Sequence, residues 1–182
     1  MKTVIVFFAD GMEECEALLV VDLLRRAGVK VVTVSVTGQR EIISSHNVVL
    51  LADALAEEAD FTEADLLVLP GGMPGTVHLG ESPIVQAQCR SFAQNKAVAA
   101  ICAAPSVLAD LGLLEGRRAT CHPNFESKLA GAAVTRQGVT VDGNLITGQG
   151  LGAAIPFALT LAERLTDRET AEGIAAAICW RG

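Results

Sequence analysis

Short apolar runs alternate with helix-period segments along nearly the whole chain, and that alternation limits the possible folds more than any other feature. Thr3–Phe8 is a compact apolar run, and Glu14–Ala27 then carries apolar residues at helical spacing up to Gly28, placed as a helix C-cap. Lys30–Val36 is a Val-rich strand, Gly38–Leu51 a short hairpin excursion, and Leu66–Leu69 a buried strand that ends in Pro70-Gly71-Gly72. Pro83–Gln94 reads as a helix with proline at its first position, Ala97–Ile101 as a strand and Ala104–Leu111 as a helix. Arg118–Cys121 and Val139–Thr147 read as further strands, and Ile155–Leu165 and Arg168–Cys179 as closing helices. Apolar strands separated by helices predict an α/β fold, a mostly parallel sheet with helices on both faces. No repeat, low-complexity tract or linker interrupts the pattern, so one domain is expected over residues 1–182.

Composition narrows the function. Hydrophobic residues make up 51% of the chain, enough for a solid core. The net charge of −7 argues against a nucleic-acid partner, which would require a basic stripe. The apolar run at Val4–Phe8 stops at Asp10 and is too short for a signal peptide or a membrane span, so a cytoplasmic protein without a membrane partner is expected. The five cysteines, at 15, 89, 102, 121 and 179, are odd in number and contain no CxxC, which supports neither a disulfide framework nor a zinc knuckle.

Strands of a parallel sheet deliver their loops to one edge, where ligands bind. Four such ends carry unusual residues: Asp10-Gly11-Met12-Glu13-Glu14-Cys15-Glu16, Pro70-Gly71-Gly72-Met73-Pro74-Gly75, Ile101-Cys102-Ala103, and Thr120-Cys121-His122-Pro123. Cys102 sits on a sharp strand-to-helix turn that exposes its sulfur above the sheet. The helix behind it presents a positive end, which predicts an environment that favours the thiolate. Gly71 and Gly72 let backbone N–H groups approach a reacting oxygen. A carboxyl nearby can hydrogen-bond the sulfur or move a proton, and His122 can assist. Among Glu13, Glu14 and Glu16 the spacing alone does not choose, since three acids also suit the first turn of a helix.

The other candidates have plainer readings. Cys15, Cys89 and Cys179 fall on helical stretches, as core or surface residues, and Cys121 reads as structural at the edge of a pocket. His46 and His78 read as loop residues. Gly148-Gln149-Gly150-Leu151-Gly152-Ala153 fits a dinucleotide fingerprint by letter. The acid at the required spacing is Asp167, which lies between two helices rather than at a strand end, so a tight turn beside a ligand is the preferred reading. Ligand spacing gives no support to a metal at Cys102, Cys121 and His122, and no metal or cofactor is expected.

At these residues the sequence resembles the DJ-1/ThiJ/PfpI superfamily. The stretches that carry the resemblance are GMEECEA (11–17), VVDLLRRAGVKV (20–31), DLLVLPGGMPG (65–75), AAICAAPSVL (99–108), TCHPNFESKL (120–129) and LITGQGLGAAIPFALTLAERL (145–165), in order and over nearly the whole chain. The resemblance implies a flavodoxin-like three-layer sandwich and a homodimer with the first helix in the interface. It implies Cys102 as the reactive cysteine, Glu16 as its partner acid, His122 as an assisting group, Gly71 and Gly72 as the glycine loop, and the Gly72 and Ala103 N–H groups as oxyanion donors. Members are glyoxalases or deglycases without a cofactor, acting on small aldehydes and dicarbonyls, or redox-responsive chaperones.

The departures matter as much. Relatives commonly place Gly-Pro-Gly-Thr where this chain has Gly150-Leu151-Gly152-Ala153, so the pocket rim loses a hydroxyl. Ser44 stands where animal members have a cysteine, which removes regulation through that site. Ala103, not histidine, follows Cys102, which argues against the protease-like members, and no histidine follows His122, which argues against an amidotransferase. Two functions are therefore expected as alternatives. One is a glyoxalase or deglycase acting through Cys102 on dicarbonyls such as methylglyoxal, in stress protection. The other is a redox sensor or chaperone whose Cys102 is oxidised to sulfinic acid, with little turnover.

Overall fold

Strand β1 (Thr3–Phe8) shows why the molecule has two cores. Successive side chains of a strand point to opposite faces, and Val4, Val6 and Phe8 enter one apolar cluster while Ile5 and Phe7 enter another. The same split recurs in β6 (Leu66–Leu69) and β7 (Ala97–Ile101). A sheet built of such strands must be covered twice. The computed structural model describes residues 1–182.

Seven strands form the central sheet in the order β10-β11-β7-β6-β1-β2-β5. Here β2 is Lys30–Ser35, β5 Ala54–Leu55, β10 Val139–Asp142 and β11 Leu145–Gly148. All neighbours pair in parallel except β10, which runs antiparallel to β11. Helices α1 (Glu14–Arg26), α5 (Ala154–Leu165) and α6 (Arg168–Ala177) cover one face. Helices α2 (Gly75–Glu81), α3 (Pro83–Asn95) and α4 (Pro105–Asp110) cover the other. This is the α/β sheet covered on both faces that the strand pattern predicts, in the flavodoxin-like form that the family resemblance implies. The hairpin β3 (Glu41–Ile43) and β4 (Val49–Leu51) stands apart as the expected excursion, with β8 (Arg118–Ala119) and β9 (Ala133–Val134) as a second small sheet. No helix is long and apolar enough to cross a membrane.

Two expected strands are corrected. Residues 139–147 are not one strand but the β10–β11 hairpin, turning at Gly143 and Asn144, with Gly143 at φ 61. The Asp142-Gly143-Asn144 run is the turn chemistry that a two-residue hairpin loop needs. The strand expected at Arg118–Cys121 shortens to β8, which pairs with β9 rather than joining the main sheet. Only three of the four strand ends therefore belong to the parallel edge. The fourth segment reaches that edge by its own hydrogen bonds: the Thr120 N–H donates to Thr147 Oγ1 at 2.9 Å, and the His122 N–H to the Cys102 carbonyl at 2.9 Å.

The chain leaves β1 for β2 on one side and returns to β6 on the other, so the direction of winding reverses between β1 and β6. A crevice opens beyond the strand ends at such a point. The loops after β1, β6 and β7 gather there.

Candidate active site

The three acids after β1 take three different positions. Glu13 caps α1, its Oε2 accepting the Glu16 N–H at 2.6 Å, while its own N–H donates to the Gly71 carbonyl at 2.9 Å. Glu14 turns toward the β3–β4 hairpin, its Oε1 3.0 Å from His46 Nδ1. Glu16 is 1% exposed, accepts the Gly71 N–H at 3.0 Å on Oε2, and faces Cys102 across Gly71. One helical turn separates Glu13 from Glu16, so the capping acid and the buried acid share a side of α1.

Cys102 sits at φ 64, a left-handed conformation uncommon outside glycine. Its N–H donates to the Gly148 carbonyl at 3.0 Å and its carbonyl accepts from His122, so the strained turn is held from both neighbours. The N–H groups of Gly72 and Ala103, expected as oxyanion donors, act on the sulfur to hold its thiol down. Gly71 must be glycine: a Cβ there would lie 2.6 Å from both Cys102 Cβ and Glu16 Oε2. Gly72, at φ +87, would drive a Cβ into the backbone at Met12 and Glu13.

The charge balance differs from the expected thiolate-favouring environment. Burial pushes the Cys102 thiol up to about 12, the charge of Glu16 adds to that, and the Ala103 and Gly72 N–H groups oppose it. Burial pushes the Glu16 carboxyl up to about 7, against the pull of the Cys102 thiol and with the Glu13 charge adding to the rise. Two adjoining buried acids resist ionising together. Above about 7 the pair keeps one proton, and the order of the two values rests it on the sulfur.

His122 lines the same cleft, and its Nδ1 accepts the Asn124 N–H at 3.2 Å. That acceptor role assigns the proton of the neutral ring to Nε2. The cleft encloses about 800 Å³. Glu13, Glu16, Cys102 and His122 form its reactive side, and Leu151, Ala153, Pro156 and Trp180 an apolar side. The glycine-rich run 148–153 is the expected turn beside the site, with a Cβ at Gly150 falling 3.9 Å from Cys102 Sγ.

All six expected site residues, Glu16, Gly71, Gly72, Cys102, Ala103 and His122, meet at this one place. Sequence reasoning missed Trp180, which the chain's last helix brings to the cleft. It also missed the grouping of Glu13, Glu14 and His46, whose ligand-type atoms lie within 4.8 Å of one another. All five cysteines are free; Cys89 and Cys121 are buried, Cys15 and Cys179 exposed. His78 is tied to the Asp10 carbonyl at 2.8 Å and stays out of the cleft lining.

A reactive-type cysteine on a strained turn, a buried glutamic acid against its sulfur and two convergent amides define a family of α/β proteins. Residues 2–164 match the DJ-1/PfpI family, and the chain belongs to it. The chain is 38% identical over 177 residues to the protein dj-1beta of Drosophila melanogaster, covering 96% of this chain and 95% of that protein. The crystal structure of Drosophila melanogaster DJ-1beta superposes with a TM-score of 0.95 at 36% identity, over 100% of this chain and 99% of that one. The DJ-1 homolog B of Arabidopsis thaliana is 39% identical over 168 residues, 91% of this chain but 38% of that longer protein, so the chain spans well under half of the plant relative. A protein of Pyrococcus abyssi named a deglycase is 33% identical over 150 residues, 80% of this chain and 89% of that protein.

Proposed function

We propose that the protein is an enzyme of the glyoxalase or deglycase type, acting on small reactive dicarbonyls such as methylglyoxal and serving stress protection. The observation that carries this reading is the contact between the Glu16 carboxyl and the Cys102 thiol under the Gly72 and Ala103 amides. The deglycase name of the archaeal relative points the same way.

The chemistry follows from the placement. With the shared proton on Glu16, the Cys102 thiolate adds to the aldehyde carbon, and the Gly72 and Ala103 N–H groups hold the oxygen as it takes up charge. Glu16 gives its proton to that oxygen and, then a carboxylate, carries the proton of the former aldehyde carbon to the neighbouring carbonyl carbon, while the hydroxyl proton passes to the second oxygen. The resulting thioester is cleaved by water, which restores the thiol and releases lactate. Methylglyoxal and water thus become lactate with no net oxidation, and every step uses side chains of the cleft. His122, donating from Nε2, orients the substrate oxygen.

A second reading rests on the same donors. Peroxide oxidises the Cys102 thiol to sulfinic acid, two peroxides becoming two waters, and the amides and Glu16 hold the new oxygens. The protein would then act as a redox sensor or chaperone.

A homodimer fits the apolar residues left exposed on α1 and the β3–β4 hairpin: Leu18 at 39%, Val49 at 59% and Leu51 at 67%. Five free thiols fit the reducing cytoplasm. Lactate formation from methylglyoxal by chelator-treated protein, beside Cys102→Ser and Glu16→Gln, tests the enzyme reading. Turnover lost in both variants is expected. Turnover no higher than that of Cys102→Ser removes the reading and leaves the sensor, tested by intact-mass analysis after peroxide titration.

A further inference from the structure

Trp180, the chain's single tryptophan, stands where the proposed chemistry has no use for it. It is half-buried against the cleft that holds Cys102. It also lies past residue 164, where the family match ends. The tail is nevertheless fixed. Ala171 and Ile174 bury α6 against the core, and two hydrogen bonds turn the chain back at its end, from the Cys179 N–H to the Ala176 carbonyl at 3.0 Å and from the Trp180 N–H to the Ala175 carbonyl at 2.8 Å. The indole is thereby carried to Pro156, at the first turn of α5, and to the cleft.

Leu151, Ala153, Pro156 and Trp180 give the cleft an apolar stretch of wall. Leu151 is 49% exposed, and Ala153 beside it offers no polar group to the cleft. An exposed leucine and a half-buried tryptophan beside a buried ionisable pair are unexplained by folding alone. An aromatic wall next to a reacting carbon does have a use, since it removes water from the part of a substrate that does not react.

We propose that Trp180, Pro156 and Leu151 form an apolar subsite for the non-reacting end of the aldehyde, so that the preferred substrates are 2-oxoaldehydes bearing an aryl or branched alkyl group. The proposal rests on the glyoxalase reading for its chemistry but not for its binding. An aryl 2-oxoaldehyde adds water to give the aryl 2-hydroxy acid, phenylglyoxal giving mandelate, with no further reactant. The carbonyl carbons sit at Cys102 and the ring lies against the indole.

The test compares kcat/KM for phenylglyoxal and methylglyoxal in the full-length protein, in Trp180→Ala and in Trp180→Phe. Stacking of this kind is worth about a factor of ten. The preference for phenylglyoxal is expected to fall about tenfold in Trp180→Ala, chiefly through KM, and to be largely kept in Trp180→Phe. An unchanged ratio in Trp180→Ala overturns the subsite. A second readout needs no turnover. Mandelate is expected to shift the Trp180 fluorescence in a saturable way, and lactate at equal concentration is not. Should no aldehyde be converted at all, the glyoxalase reading falls while the mandelate titration still decides the subsite: a saturable shift sustains it, and no shift removes it.

Discussion

The Glu16 carboxyl and the Cys102 side chain face each other across Gly71, although they arrive on elements that follow β1 and β7 with β6 lying between those strands. Gly71, at the end of β6, is the spacer. Its N–H donates to Glu16 and its missing side chain leaves the space in which acid and thiol touch. Burial raises both groups, so neither is an independent acid. In the proposed reaction Glu16 is the proton store for the sulfur.

Stability should record that store. The Glu16 carboxyl is raised in the fold from an ordinary 4.5 to about 7, so between these values the folded chain binds more protons than the unfolded one. Stability therefore falls as pH rises through that window and levels off above it, by on the order of 3 kcal/mol if the group titrates alone. Glu16→Gln, which cannot ionise, should lose this slope. Urea unfolding across the window measures it, and a variant with the wild-type slope would show that Glu16 is not the group responsible.

Gly71→Ala should be among the most damaging small substitutions in the protein. The added Cβ meets Cys102 Cβ and Glu16 Oε2 at 2.6 Å and the Ile101 carbonyl at 2.9 Å, all held by neighbouring backbone. Displacing either side chain costs about 1–3 kcal/mol as overpacking and breaks the acid–thiol contact. Turnover should fall at least a hundredfold, and alkylation of Cys102 should change rate while Cys15 and Cys179 react as before. Unaltered turnover would mean the turn can shift aside.

Much of this site is legible in the amino-acid sequence. Cys102, Gly71 and Gly72 follow from apolar runs ending in unusual residues, because a parallel sheet must bring such ends together. The choice of Glu16 rests on family resemblance, and its physical basis appears only in three dimensions: Glu13 is used as a cap and Glu14 faces His46. His122 is legible as a site residue, but for an incomplete reason, since its segment is not on the main sheet and is held by Thr147 and Cys102. Helix α2 escapes a reading by pattern because it is a short helix with no side-chain cap. Trp180 escapes because its place depends on a left-handed cysteine that no propensity scale indicates.

His122 is expected to separate into two functions. Its Nδ1 accepts the Asn124 N–H, and its ring lines the cleft. Asparagine places an acceptor near the Nδ1 position and glutamine reaches a donor toward Nε2. His122→Asn should keep the wild-type melting temperature but lose on the order of tenfold to a hundredfold in kcat/KM, and His122→Gln should recover part of the loss at some cost in stability. Full activity in His122→Asn would reduce the ring to a cap for the segment that follows it.

Two helices end in the same backbone motif with different residues at its centre. After α1, the Gly28 N–H reaches the Arg25 carbonyl and the Val29 N–H the Leu24 carbonyl, each at 3.1 Å, with Gly28 at φ +73. After α6, the Cys179 and Trp180 N–H groups make the equivalent bonds, but the left-handed residue is Cys179 at φ 58. A Cβ in this conformation costs about 1 kcal/mol that glycine avoids. At Gly28 a Cβ would meet nothing within 4 Å, so Gly28→Ala isolates the backbone strain and should destabilise by about 1 kcal/mol. Cys179→Gly should do the reverse, stabilising by about 0.5–1 kcal/mol and raising Tm by about 1–4 °C. It should also leave the Trp180 fluorescence spectrum in place, since the turn that carries the indole is preserved. Thermal unfolding of both variants under reducing conditions measures the pair. A Cys179→Gly protein less stable than wild type would mean that the thiol makes a packing contribution larger than the strain it imposes.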